Sequence, residues 1–349
     1  MKSRWSERPG GTVLKTQDSP RAGRPKRDPD RDLGERGGSI ESMPSLLWLL
    51  CVIQAWEVKA QAYDRNIFIL AGQSNMAGRG GVINDTSTGI ATWDGVVPPE
   101  SSPNPSVLRL NAHQTWVEAR EPVSADIDFK KTNGVGPGMA FANWVLEKHP
   151  ELGVIGLVPC AIGGTNISEW ERGKELYNHM MKRAKASLRD GGTIRALLWY
   201  QGETDTVNLH DSQFYQTRVH KFFLDVRRDL QFPLLPIIQV ALASGSGPYI
   251  EVIRQAQLSI DLLNLRTVDA HGLPLLPDGL HLSTQAQVHL GQMMANAFLQ
   301  FVPSSNLNHN LSPIRNEAVN LYNSTFYVYM LHLFLFITFL TFMYPTFLY

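Results

Sequence analysis

The stretch that decides the reading is Asn66-Ile-Phe-Ile-Leu70-Ala71-Gly72-Gln73-Ser74-Asn75-Met76-Ala77-Gly78. A short apolar run ends in a small, polar turn bracketed by glycines, with one serine at its tip. The run Ile67 to Leu70 is too short for an amphipathic helix and suits a strand buried on both faces, as in a parallel sheet. The turn then holds Ser74 at the carboxyl end of that strand, where open α/β sheets place ligands. Gly72 and Gly78 let the backbone bend and other groups come close. Taken alone, the pattern fits an ordinary strand-to-loop turn better. The rest of the chain has to decide.

Outward from this strand, between about Tyr63 and Val302, apolar runs alternate with helix-like segments. The runs Ile67–Leu70, Val154–Val158, Arg195–Tyr200 and Leu235–Val240 read as strands, with a weaker one at Thr267–Val268. Helical spacing covers Gly138–Lys148, Glu171–Arg189, Asp211–Leu230, Tyr249–Leu263 and Thr284–Phe301. In the last of these, Thr284 and Gln287 form a capping-box pattern. Strands alternating with helices predict a parallel sheet covered on both faces, within one domain of roughly 240 residues. The stretch from Gly80 to Asn133 lacks strong periodicity and reads as long surface loops that wall a cleft.

The two ends differ from this centre. Residues 1–42 are rich in Arg, Pro, Gly and Asp, cannot bury enough apolar surface to order themselves, and read as disordered or as an extension upstream of the native start. Residues 43–62 begin Met43-Pro-Ser-Leu-Leu-Trp-Leu-Leu-Cys51 and close on Ala60-Gln61-Ala62, the pattern of a secretory signal peptide starting at a second methionine. An internal core helix is the alternative, since no basic segment follows Met43. Residues 303–349 run from a polar linker into the almost wholly apolar Phe326–Tyr349, long enough for a membrane span, a tail anchor or a removed lipid-anchor signal. An extension foreign to the native protein fits it equally. Sequons at Asn84, Asn166, Asn310 and Asn323 suit a secreted glycoprotein.

Of the 349 residues, 32 are basic and 32 acidic, giving zero formal net charge. No overall basic field exists to hold a phosphate backbone, which argues against nucleic acid as a partner. The two cysteines, Cys51 and Cys160, cannot build a zinc cluster, and removal of a signal peptide would leave Cys160 alone, without a disulfide partner.

Three further clusters fall where an α/β sheet presents its loops. The first is Cys160-Ala-Ile-Gly163-Gly164-Thr165-Asn166, whose paired glycines let backbone N–H groups approach a ligand. In the second, Trp199-Tyr-Gln201-Gly-Glu203-Thr-Asp205, Gln201 can aim an amide N–H at an oxyanion. Glu203 and Asp205 are either acids or loop braces. The third, Asp278-Gly-Leu-His281, precedes the last helix. Its carboxylate can fix the imidazole tautomer and leave the other ring nitrogen to take a proton from a serine. A capping Asp beside a surface His is the plainer alternative. His113, His149, His210 and His220 lack such a partner and read as surface or core residues. A serine hydroxyl needs a base to become a nucleophile. The order Ser74, Asp278, His281 supplies one if the last loop returns over the first strand. Oxyanion donors would be the Ser74 N–H, a glycine N–H at Gly163 or Gly164, and the Gln201 side chain.

With these blocks quoted, the chain resembles the SGNH (GDSL-like) hydrolase superfamily, and within it the carbohydrate esterases with a SASA domain. These are named for sialic-acid-specific acetylesterases and include plant members. The resemblance rests on Gly72-Gln-Ser-Asn-Met76, Gly163-Gly164-Thr165, Trp199-Tyr-Gln-Gly-Glu203 and Asp278-Gly-Leu-His281, in the family's order across residues 63–302. It implies a three-layer, flavodoxin-like α/β/α sandwich around a central parallel sheet. It also implies Ser74 as nucleophile, His281 as base and Asp278 as its orienter, with oxyanion donors from the second and third blocks. Two departures stand out. Gln73 replaces the Asp of the usual GDS, and Gln201-Gly-Glu203 stands where an Asn donor is usual. Met76 occupies the last glycine of a Gly-x-Ser-x-Gly elbow, so the α/β-hydrolase fold fits less well. The expectation is a secreted serine esterase that removes acetyl groups from carbohydrate through an acyl-enzyme, without metal or cofactor. A membrane partner would depend on Phe326–Tyr349. A glycan acyltransferase, or a non-catalytic glycan-binding protein of the same fold, is the rival.

Overall fold

A computed structural model describes residues 65–85 and 87–302. The expectations for residues 1–42, the signal segment 43–62 and the tail 303–349 lie outside these residues, as do Cys51 and the sequons at Asn310 and Asn323. Among the described residues no helix is long and apolar enough to cross a membrane.

The opening run forms β1, Arg65–Gly72, buried along its whole length. It leads directly into α1, a single turn over Ser74–Ala77. The chain continues through β2 (Val82–Asn84), β3 (Ala91–Trp93), β4 (Val107–Leu110), β5 (Trp116–Glu118), α2 (Pro137–Lys148) and β6 (Val154–Pro159). Then follow α3 (Glu175–Ser187), β7 (Thr193–Tyr200), α4 (Leu209–Asp229), β8 (Ile237–Ala241), α5 (Ile250–Leu258), β9 (Leu265–Asp269) and α6 (Thr284–Leu299). Seven strands make one sheet in the order β5-β4-β6-β1-β7-β8-β9, and β2 and β3 form a separate antiparallel pair. Every neighbouring pair in the large sheet is parallel except the edge pair β4–β5. β1 lies near the centre, flanked by β6 and β7, so its carboxyl end sits where connections diverge to either side.

Helices cover both faces, as the alternating pattern predicts. On one side Phe68 of β1 meets Phe141 of α2 and Phe298 of α6 edge-on, with ring centroids 4.9 and 4.8 Å apart. On the other, Trp199 of β7 packs on Phe222 of α4 at 4.5 Å and on Trp170 at 5.2 Å, and Phe222 also meets Tyr177 of α3. Such pairs add to the hydrophobic burial that drives the layers together.

Differences from the sequence reading are local. The helix expected over Glu171–Arg189 begins only at Glu175, after Gly173 takes a φ of +92° that stops the preceding 3₁₀ turn from running on. The helix expected over Tyr249–Leu263 ends at Leu258. The last helix is capped by Ser283 rather than Thr284: its side chain accepts the Ala286 N–H, which moves the cap one residue earlier. The stretch Gly80–Asn133 is not all loop, since it contains β2 to β5. Runs of three or four residues are too short to show a period.

Candidate active site

Gly72 places the serine. Its φ is +132°, and a Cβ there would lie 2.0 Å from the Tyr200 carbonyl oxygen. Only glycine lets β1 turn off this close to β7, and the turn is pinned by the Gln73 N–H donating to Tyr200 O at 2.9 Å. Ser74 follows as the first residue of α1, 5% exposed.

The loop before α6 comes back over this point. His281 Nε2 lies 2.9 Å from Ser74 Oγ, across 207 residues of sequence. On the other edge of the ring, His281 Nδ1 lies 2.7 Å from Asp278 Oδ2. The Asp278 carboxylate divides its work. Oδ2 faces the ring, while Oδ1 accepts the N–H groups of Leu280 at 2.9 Å and His281 at 3.0 Å. Burial alone would raise this carboxyl, but those two N–H groups and the imidazole together hold it below the usual carboxylate range. Ionised, it favours the His281 tautomer with the proton on Nδ1, leaving Nε2 as the acceptor toward the serine.

Asn75, beside the serine and fully buried, ties the two regions together. Its Oδ1 accepts the Leu282 N–H at 2.9 Å, and its Nδ2 donates to Glu203 Oε1 at 2.8 Å and to Leu280 O at 3.3 Å. Ser244 Oγ donates to the same Leu280 carbonyl at 2.5 Å. The His281 loop is therefore clamped on both sides of the imidazole. The sequence reading passed over Asn75, whose one signal was its place within the quoted turn.

Ser74 and His281 line a cavity of about 230 Å³ together with Gly163, Gly164, Thr204 and Ser246. Gly163 lies against the serine: a Cβ there would sit 3.4 Å from Ser74 Cβ and 2.6 Å from Arg79 Nη2. Its N–H donates to Asp128 Oδ2 at 3.2 Å. Asp128 also forms a buried ion pair with Arg79, whose guanidinium is held in turn by Gly78 O and Asn133 Oδ1. This pair joins residues 49 positions apart, and nothing in the local sequence marks it. Gly164, with φ +77°, has open space where a side chain would stand.

Gln201 does not take the position expected of it. It is fully buried, and its Nε2 donates to Thr165 O at 3.0 Å and to Asp205 Oδ2 at 2.5 Å. It is absent from the walls of the cavity that holds Ser74. Both amide N–H groups satisfy buried acceptors, so the side chain braces the second and third blocks against each other instead of facing an oxyanion. Glu203 and Asp205 are likewise fully buried braces, each raised to about 7 chiefly by desolvation. Asp205 also accepts the Ile167 N–H at 3.0 Å.

Of the two sequons within reach, Asn84 is exposed, while Asn166 caps a 3₁₀ turn and its carboxamide oxygen accepts from Ser168 Oγ at 2.6 Å. Cys160 is a buried free thiol whose pKa burial pushes up to about 11.

Residues 64–300 match the family described as carbohydrate esterase, sialic acid-specific acetylesterase (SASA). The chain is 53% identical over 244 residues to a probable carbohydrate esterase, At4g34215, of Arabidopsis thaliana, spanning 70% of this chain and 94% of that one. The crystal structure of the Arabidopsis protein AT4G34215 superposes with a TM-score of 0.67 at 53% identity, over 69% of this chain and all of that one. The crystal structure of NanS superposes at 0.54 with 18% identity, over 68% and 97%, a likeness of fold. The protein thus belongs to the SASA family of carbohydrate esterases, acetylesterases that act on ester bonds.

Proposed function

We propose that this esterase works by a serine acyl-enzyme route, with Ser74 as nucleophile, His281 as general base and acid, and Asp278 as the group that orients and charges the imidazole. One observation carries the reading: the unbroken line Asp278–His281–Ser74, with hydrogen-bonded contacts of 2.7 and 2.9 Å.

In the first half-reaction Ser74 Oγ bonds to the acetyl carbonyl carbon while its proton passes to His281 Nε2. The tetrahedral intermediate collapses. The ester C–O bond breaks, and the sugar oxygen takes the proton from Nε2. In the second half, a water gives its proton to Nε2 and attacks the acetyl-serine, and the serine oxygen leaves as it regains that proton. Acetate and free enzyme result. The oxyanion is held by the Ser74 N–H, which as the first of a helical turn has no acceptor within that helix, and by the N–H groups of Gly163 and Gly164. For Gly163 this requires its N–H to turn from Asp128 toward the substrate. The buried Arg79 neutralises Asp128, so that its charge does not oppose the developing anion.

The substrate is an acetylated carbohydrate, following the family description and the Arabidopsis relative. We further propose secretion, with residues 43–62 removed. An N-terminal peptide beginning near Tyr63 in secreted material supports it, and an intact Met1 end refutes it.

The deciding experiment is acetate release from a panel of acetylated polysaccharides by the protein and by its Ser74→Ala variant. Loss of about 10³-fold or more in the variant is expected. Equal release by both ends the serine mechanism.

A further inference from the structure

The cavity around Ser74 is not the largest on its side of the sheet. Its walls Arg79, Lys131 and His281 also line a second cavity of about 150 Å³. Val82, Asn84, Leu276 and Asp278 line that second cavity and also a third, of about 780 Å³. Shared walls make the three spaces neighbours, and Asp278, which orients the imidazole, forms a wall of the last. The third alone lies in the size range of a complete small-molecule site.

Direction follows from the chemistry. His281 Nε2 protonates the departing oxygen, so the alcohol part of the ester leaves beside His281. His281 is itself a shared wall between the reaction cavity and the second one. The alcohol part thus leaves at a wall shared with the second space, whose neighbour in turn is the large cavity.

The large cavity has a distinct surface. Val82, Ile83, Val96, Pro98, Leu276 and Pro277 supply a broad apolar lining. Among the described residues no lysine, arginine or aromatic ring lines it; its polar residues are Asn84, Asp94, Asp278, Ser283, Thr284 and Gln285. Sugar rings stack on aromatic faces, and among the described residues this wall has none. Ile83 and Val96 are each 59% exposed, so both present apolar surface to an occupant of this cavity.

Resting on the serine esterase reading above, we propose that this cavity binds the apolar aglycone of an acetylated glycoside, so that the enzyme selects acetylated sugars carrying an apolar alcohol or phenol.

The test compares acetylated methyl and 2-naphthyl glucosides bearing the same acetyl pattern, with the protein and with an Ile83→Asn, Val96→Asn double variant checked for an unchanged melting temperature. The expected result is a kcat/KM about tenfold or more in favour of the naphthyl substrate, reached through KM. In the double variant that ratio falls toward one. Equal kcat/KM values in the wild type, or a ratio the substitutions do not move, overturns the proposal. A binding titration with unacetylated 2-naphthyl glucoside, followed by its fluorescence, separates the two readings. If neither ester is cleaved but the naphthyl glucoside binds saturably and the double variant weakens it, the aglycone site stands and the esterase reading falls. Absence of saturable binding overturns the aglycone site whatever the activity.

Discussion

Removal of the Asn75 carboxamide is the sharpest perturbation of the site that leaves Ser74, His281 and Asp278 themselves intact. Asn75→Ala deletes three hydrogen bonds, to Leu282 N, Glu203 Oε1 and Leu280 O. Leu280 O keeps Ser244 Oγ as a donor, so two groups are stranded, the Leu282 N–H and the Glu203 carboxyl. A buried polar group without its partner costs about 1–3 kcal/mol. Glu203, already raised to about 7, can protonate and escape part of that cost. The unfolding free energy should therefore fall by about 2–4 kcal/mol. Activity should fall for a separate reason. His281 sits between the two clamped residues, Leu280 and Leu282, and with the clamp gone its 2.9 Å approach to Ser74 is no longer enforced. A misplacement of about 1 Å costs roughly 10²-fold in rate. The assay is steady-state acetate release and urea unfolding on the same sample, well below the transition. Expected are a kcat about a hundredfold lower, a KM little changed, and a lower urea midpoint with the same slope. A variant that is destabilised but turns over at the wild-type kcat would refute the idea that this amide positions the imidazole.

Asp278→Asn keeps an oxygen for the Leu280 and His281 N–H groups but removes the charge facing Nδ1; kcat should drop by about 10³–10⁴, and a drop below tenfold would sink the assigned role. Gly163→Ala drives a methyl to 2.6 Å from Arg79 Nη2 and displaces the loop that carries the proposed oxyanion donor. Its kcat should fall by about 10²–10³ with KM nearly constant, whereas an unaltered kcat would remove Gly163 from the oxyanion site. The buried Glu203 and Asp205 carboxyls sit at about 7 in the folded protein, against ordinary values of 4.5 and 3.8. A raised carboxyl stabilises the fold while it is protonated; that contribution is complete below the unfolded value and is lost as pH rises through the folded one. The urea midpoint should therefore decline between about pH 4 and 7 and level off above that. Glu203→Gln, whose amide oxygen can still accept from Asn75, should flatten that decline, and an equally steep decline in this variant would show that Glu203 does not cause it.

Much of the site was legible because it is local. Asp278 and His281 are three residues apart on one turn, and that spacing alone lets a carboxylate reach an imidazole. The apolar run of β1 announced a buried strand, and Gly72 announced a close backbone approach. The alternation of runs and helical segments set the layered architecture, because periodicity reports burial within each element. The short strands β2 to β5 were not legible, since three or four residues carry no period, and the large cavity beside β2 was hidden with them.

What the sequence alone determined was the longer strands and the helices, the polar turns at strand ends and the Asp278–His281 pairing, all governed by distances of a few residues along the chain. Tertiary structure alone decided that His281 meets Ser74, because that contact spans 207 residues and depends on strand order. It also decided which amide does what. Gln201 was expected at an oxyanion and is used up on Thr165 and Asp205, while Asn75, unremarked in sequence, holds the His281 loop. A side-chain amide bonds to whatever buried donors and acceptors surround it, and only the folded chain fixes that surrounding.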